Sequence, residues 1–164
     1  MSEVLKTVPR PDKVETGVEK VSEVVKGLNG ALADTYCLLF KSHAYHWNVE
    51  GPFFHSIHVL TEAQYGNLFK AADDLAERIR ALGQLAPSRL GDVMEASIIK
   101  DRAKLPSAQA MVEDLAADHE AVAKRMHKVI ETAEKAGDPV TADLLTGRCA
   151  FHEKAAWMLR ATAK

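Results

Sequence analysis

The sequence predicts an all-α protein, a four-helix bundle with one long crossover that carries a short extra helix between helices 2 and 3. Three observations support this. Apolar residues recur at steps of three and four along four long stretches. Gly51-Pro52, Gly83 and Gly137 with Asp138-Pro139 punctuate the joins between them. No stretch alternates apolar and polar residues as a half-buried strand would. The 164 residues suffice for one domain, divided here into an N-terminal tail over 1–13 and a bundle domain over 14–164.

The first helix is expected from Val14 to about Asn48. Val14, Val18, Val21, Val25, Leu28, Leu32 and Leu39 form one apolar stripe, with Thr35 filling its gap. Pro52 suits the first turn of a second helix, which runs to Leu82 with Gly83 as its C-cap. Residues Gln84 to Pro106 are less regular, and Asp92 to Ile99 can form a short helix. Ser107 is a good N-cap for a third long helix carrying Met111, Leu115, Val122, Met126, Val129 and Ile130. Gly137 ends it, and Asp138-Pro139 starts the fourth with an N-cap and a proline at the first helical position. Leu145, Cys149, His152, Ala156 and Leu159 mark that helix's buried stripe. A link of roughly 24 residues between the second and third helices makes them run parallel, as in ferritin-like folds.

Composition excludes several classes of function. An apolar content of 47% and a charged content of 27% belong to an ordinary soluble globular protein. With 21 basic and 23 acidic residues the formal charge is -2, which argues against a surface built throughout to grip phosphates. Cys37 and Cys149 share no short spacing, so neither a disulfide framework nor a zinc knuckle is expected, and the pair fits a reducing cytoplasm. Met1 to Lys13 lacks the apolar core of a signal peptide and is interrupted by Pro9 and Pro11. No run of about 18 apolar residues is present, so no membrane partner is expected. The expected location is cytoplasmic.

Histidines crowd at the first helix–helix join: His43, His46, His55 and His58. On the second helix His58 and Glu62 share a face, as do Asp73 and Glu77. From Glu62 to Asp73 is three turns plus about 20°, so all four side chains point the same way. Imidazole with carboxylate and no thiolate favours iron or manganese. His58 and Asp73 are roughly 22 Å apart along the axis, too far for one ion to bridge. Two copies of this helix packed antiparallel about a two-fold axis would join His58 and Glu62 of one to Asp73 and Glu77 of the other. Gly66, near the midpoint, would let the backbones approach closely. No Glu-x-x-His motif is present, and the third and fourth helices show no obvious inward carboxylates, which disfavours a diiron centre inside one chain. On spacing alone, a plain solvated charged face stands open beside the metal reading.

The stretch HWNVEGPFFHSIH (46–58), followed by Glu62 and DDLAERI (73–79), resembles the Dps mini-ferritins, the DNA-protecting proteins of starved bacterial cells. AGDPVTADLLT (136–146) and WMLRA (157–161) extend the resemblance over nearly the whole chain. It implies iron sites (Fe2+/Fe3+) at each two-fold interface, every site with ligands His46, His58 and Glu62 of one subunit and Asp73 and Glu77 of its mate. The third position is commonly Asp in the family, so Glu62 lengthens that ligand by one methylene. Trp47 matches an aromatic residue that the family keeps beside the iron, implicated in electron transfer or radical quenching; the plain alternative is a packed core aromatic. Acids near the start of the fourth helix, here Asp138 and Asp143, match those lining pores at the three-fold axes, although Asp138 also reads simply as an N-cap.

The activity implied is ferroxidase: Fe(II) is oxidised, preferentially by hydrogen peroxide, and stored as ferric mineral inside a hollow dodecamer built from two-fold dimers. Removing both reactants protects DNA from oxidative damage. The alternative is a nucleoid-associated DNA-binding structural protein. Within the first 20 residues, however, Lys6, Arg10, Lys13 and Lys20 are balanced by Glu3, Asp12, Glu15 and Glu19. A neutral tail offers few counterions to release, so DNA binding is expected to be weak or absent.

Overall fold

A computed structural model describes residues 3–164; Met1 and Ser2 of the expected tail lie outside the described residues. After a short 3-10 turn at Glu3–Lys6 come α1 (Val21–Asn48), α2 (Phe54–Ala81), α3 (Leu90–Ala96), α4 (Ala108–Lys135) and α5 (Pro139–Thr162). Among the described residues there is no strand, and no helix is long and apolar enough to cross a membrane. Helices α1 and α2 form one antiparallel hairpin, α4 and α5 a second, and α3 lies on the crossover between them. The core joins Leu28 and Leu38 of α1, Leu68 and Leu75 of α2, Leu115 and Met126 of α4, and Leu145 and Leu159 of α5, all with no exposed surface. Fully burying each such side chain contributes roughly 1.5–3 kcal/mol.

Three helix ends follow their local chemistry. Gly83 takes the left-handed conformation (φ 79°) just beyond α2. Ser107 caps α4, its Oγ accepting from the Ala110 N–H. Asp138 caps α5 through the Thr141 N–H at 2.9 Å, with Pro139 as the first helical residue.

Three other expectations need correction. Helix α1 starts at Val21, not Val14, because Gly17 (φ 75°) and Lys20 (φ 48°) both turn left-handed and break the helical ladder. The preceding segment instead straps the bundle end, with the Asp12 N–H bonding Gly83 O and the Glu19 N–H bonding Ala136 O, each at 2.8 Å. A Cβ at Gly83 would run into the Asp12 carbonyl, so this docking requires glycine. Helix α2 starts at Phe54, because Gly51 (φ 109°) holds Pro52 in the turn before it. Helix α3 runs over Leu90–Ala96 rather than 92–99, because Ser97 leaves the helix to reach a buried acid. That acid is Asp34, which accepts from Ser97 Oγ at 3.0 Å, Ile98 N at 2.8 Å and Arg125 Nη1 at 3.1 Å.

The expectation that α4 lacks inward carboxylates is also overturned. Lys41 of α1, only 4% exposed, lies 2.7 Å from Asp114 and 2.6 Å from Asp118 of α4 and donates to Lys100 O at 3.0 Å. The Tyr45 hydroxyl and Arg102 also bond Asp114. Burial pushes the Asp114 carboxyl up, but bonds from Arg102, Lys41 and Tyr45 outweigh it and hold the group below the ordinary carboxylate range. These acids are spent on pinning the crossover to α1 and α4.

Candidate metal centre

The α1–α2 hairpin brings His46, in the last turn of α1, against His58 near the start of α2. Their rings stack with centroids 3.6 Å apart and planes at 18°. The Nδ1–H of His46 donates to the His58 carbonyl and that of His58 to the His46 carbonyl, each at 2.9 Å. A carbonyl can only accept, so Nδ1 is the donor in each ring and Nε2 is the nitrogen left open to a metal. That is how metal-ligating histidines are commonly oriented. Thr61 steadies the same turn, donating to Ile57 O at 2.8 Å.

Glu62 is exposed one turn beyond His58 on α2. Asp73 and Glu77 are exposed further along the same helix and do not join the histidines within one chain. Among the described residues, no group of three or more His, Cys, Asp or Glu side chains is placed to hold a metal ion. Gly66 lies between the two half-sets, and a Cβ there would meet nothing within 4 Å. By contrast, a Cβ at Gly27 would lie 2.5 Å from Val129 Cγ1. Among the described residues, no close contact within its own chain requires glycine at position 66.

An aromatic series leads away from the histidines. The Tyr65 ring meets the edge of His46 at 5.1 Å and stacks on His43 at 4.2 Å, and His43 lies 4.1 Å from Trp47. Trp47 is 58% exposed in the single chain, so it is not a core aromatic there. Tyr65 was not singled out from the sequence, although its spacing of seven from His58 puts it near the same face. Asp138 is fully buried and committed to its cap and to Arg78 Nη2 at 2.8 Å. Asp143 is exposed one turn further along α5.

The helical bundle, its long crossover and the histidine pair across the first hairpin define a ferritin-like protein. The ferritin-like domain family matches residues 25–164. DNA protection during starvation protein 2 of Bacillus anthracis is 37% identical over 139 residues, covering 85% of this chain and 95% of that protein. Dps from Staphylococcus aureus shares the fold with a TM-score of 0.85 at 37% identity, over 90% of this chain and 98% of that one. A low temperature-induced protein of Nostoc sp. is 39% identical over 144 residues, 87% of this chain and 80% of that protein. The chain belongs to the Dps family.

Proposed function

We propose that the protein oxidises Fe(II) at sites shared between two-fold-related copies, with hydrogen peroxide as the preferred oxidant. It stores the ferric product inside a hollow dodecamer and so protects DNA from oxidative damage. The carrying observation is the reciprocal hydrogen bonding of His46 and His58, which orients both rings for ligation while the described residues of one chain hold no complete ligand set. A second copy supplying Asp73 and Glu77 completes the site. Each Fe(II) gives up one electron, so an iron pair reduces one peroxide, with two protons, to two waters without releasing hydroxyl radical. Neutral imidazoles hold Fe(II), and the carboxylates of Glu62, Asp73 and Glu77 stabilise the Fe(III) formed.

Trp47 is placed in this reading as an electron donor or radical trap beside the site. Asp143 is the stronger pore candidate, since Asp138 already has partners within its chain. The docked N-terminal strap supports weak or absent DNA binding, because residues 12–19 are tied to the bundle rather than free to track a phosphate backbone. The cytoplasm is the proposed location. The reading is tested by titrating anaerobic Fe(II) with peroxide. About two irons oxidised per peroxide are expected, with the rate lost in His46→Ala/His58→Ala; an unaffected variant would refute the site. A gel shift that persists at moderate salt would instead favour direct DNA binding.

A further inference from the structure

Four helices each bring one buried polar side chain to neighbouring levels of the bundle interior. His119 of α4 and His152 of α5 are fully buried and meet Nδ1 to Nδ1 at 2.9 Å. Arg148 Nη1 bonds Asn67 Oδ1 at 2.6 Å, and α2 and α5 run antiparallel, so one turn further puts His152 level with Gln64. Lys41 pairs with both Asp114 and Asp118, which places Ser42 of α1 within about two turns of His119 along the bundle. Ser42 Oγ, both amide atoms of Gln64 and Nε2 of both histidines are buried with no hydrogen-bond partner among the described residues. Arg148, whose charge acts on both rings, adds a buried Nε and Nη2 in the same state.

The donor and acceptor pattern selects the ligand. One proton joins the two Nδ1 atoms, so the donating ring presents a bare Nε2 and the accepting ring an Nε2–H. Gln64 offers one acceptor and one donor group, and the Ser42 hydroxyl offers both. A divalent cation would find a single ring lone pair, no carboxylate and a neighbouring guanidinium charge. An anion would face the bare nitrogen and the Gln64 carbonyl oxygen. A neutral molecule that both donates and accepts suits the whole set, and buried polar groups without such a partner are costly. We propose that Ser42, Gln64, His119 and His152 frame an internal hydration site, in which ordered water bridges the histidine pair to Gln64.

The test is a crystal structure of the assembled full-length protein at a resolution that reveals ordered water, repeated on crystals soaked in Zn2+ and measured at the zinc edge. Water bridging His119 or His152 Nε2 to Gln64, with no anomalous signal there, is the expected result. A zinc peak on the pair, or direct pairing of these side chains with no water between them, would overturn the proposal. Calorimetry of Gln64→Leu gives an independent reading. Loss of the bridge should lower the unfolding temperature by several degrees, whereas an unchanged or higher temperature would show that the amide had been unpaired in a dry core.

Discussion

Gly66 offers the sharpest local test of the two-fold reading. Glycine inside a helix costs about 1 kcal/mol relative to alanine, and leucine is nearly as good a helix former as alanine. Because an added Cβ meets nothing within 4 Å, the single chain has room for either side chain. Were the chain to act alone, Gly66→Ala and Gly66→Leu would each stabilise it by about 1 kcal/mol, or roughly 2–4 °C in Tm for a domain of this size. Phe69, three residues away and 69% exposed, adds an apolar surface that a second copy would cover. Packed helix axes lie about 8–10 Å apart, or closer at glycine, so a leucine at the crossing must force them apart. Gly66→Leu is therefore expected to yield smaller species in sedimentation velocity while circular dichroism shows undiminished helicity. A large particle with full Fe(II) oxidation and a raised Tm would refute the close approach at Gly66.

Two further outcomes follow from buried charge and its absence. Burial pushes the His119 and His152 rings down, to about 3 and about 2, with the Arg148 charge acting in the same direction. The unfolded chain then binds up to two more protons than the folded one below pH 6.5. Stability is full above that pH and falls as pH drops toward 3, by about 1.4 kcal/mol per pH unit for each ring. Urea midpoints at pH 7.5 and 5 should diverge, and His119→Gln/His152→Gln should flatten the difference; equal slopes for both proteins would contradict the account. Asp138→Ala removes a helix cap and the buried partner of Arg78, so a loss of about 3 kcal/mol is expected in denaturant unfolding. A loss below about 0.5 kcal/mol would show that the pair contributes little.

What could be read from the sequence depended on whether the signal was local. Ser107, Gly83 and Asp138-Pro139 act through their own backbone neighbours, and those helix ends were legible. The start of α1 was not, because Val14 and Val18 continue the apolar stepping although Gly17 and Lys20 leave the helical region. The shared face of His58, Glu62, Asp73 and Glu77 follows from helical phase alone. His46 does not, because only the hairpin brings α1 against α2, and it entered through family resemblance. Lys41, Asp114 and Asp118 look like a solvated face in one dimension; their burial arises from the crossover lying over them. His119 carried a weaker trace, sitting in phase with Leu115, Val122 and Met126 on the buried side of α4.

Complementation tests the shared site most directly. One variant lacks His46 and His58, the other Asp73 and Glu77, and each alone should be inactive in Fe(II) oxidation by peroxide. When the two are co-expressed, each mixed dimer holds one site with the histidines of the second variant and the acids of the first. The opposite site has lost all four ligands. Activity should return at roughly one site per mixed dimer, because a two-fold interface is reciprocal. Mixed particles that assemble yet stay as inactive as either parent would contradict a site built from two chains.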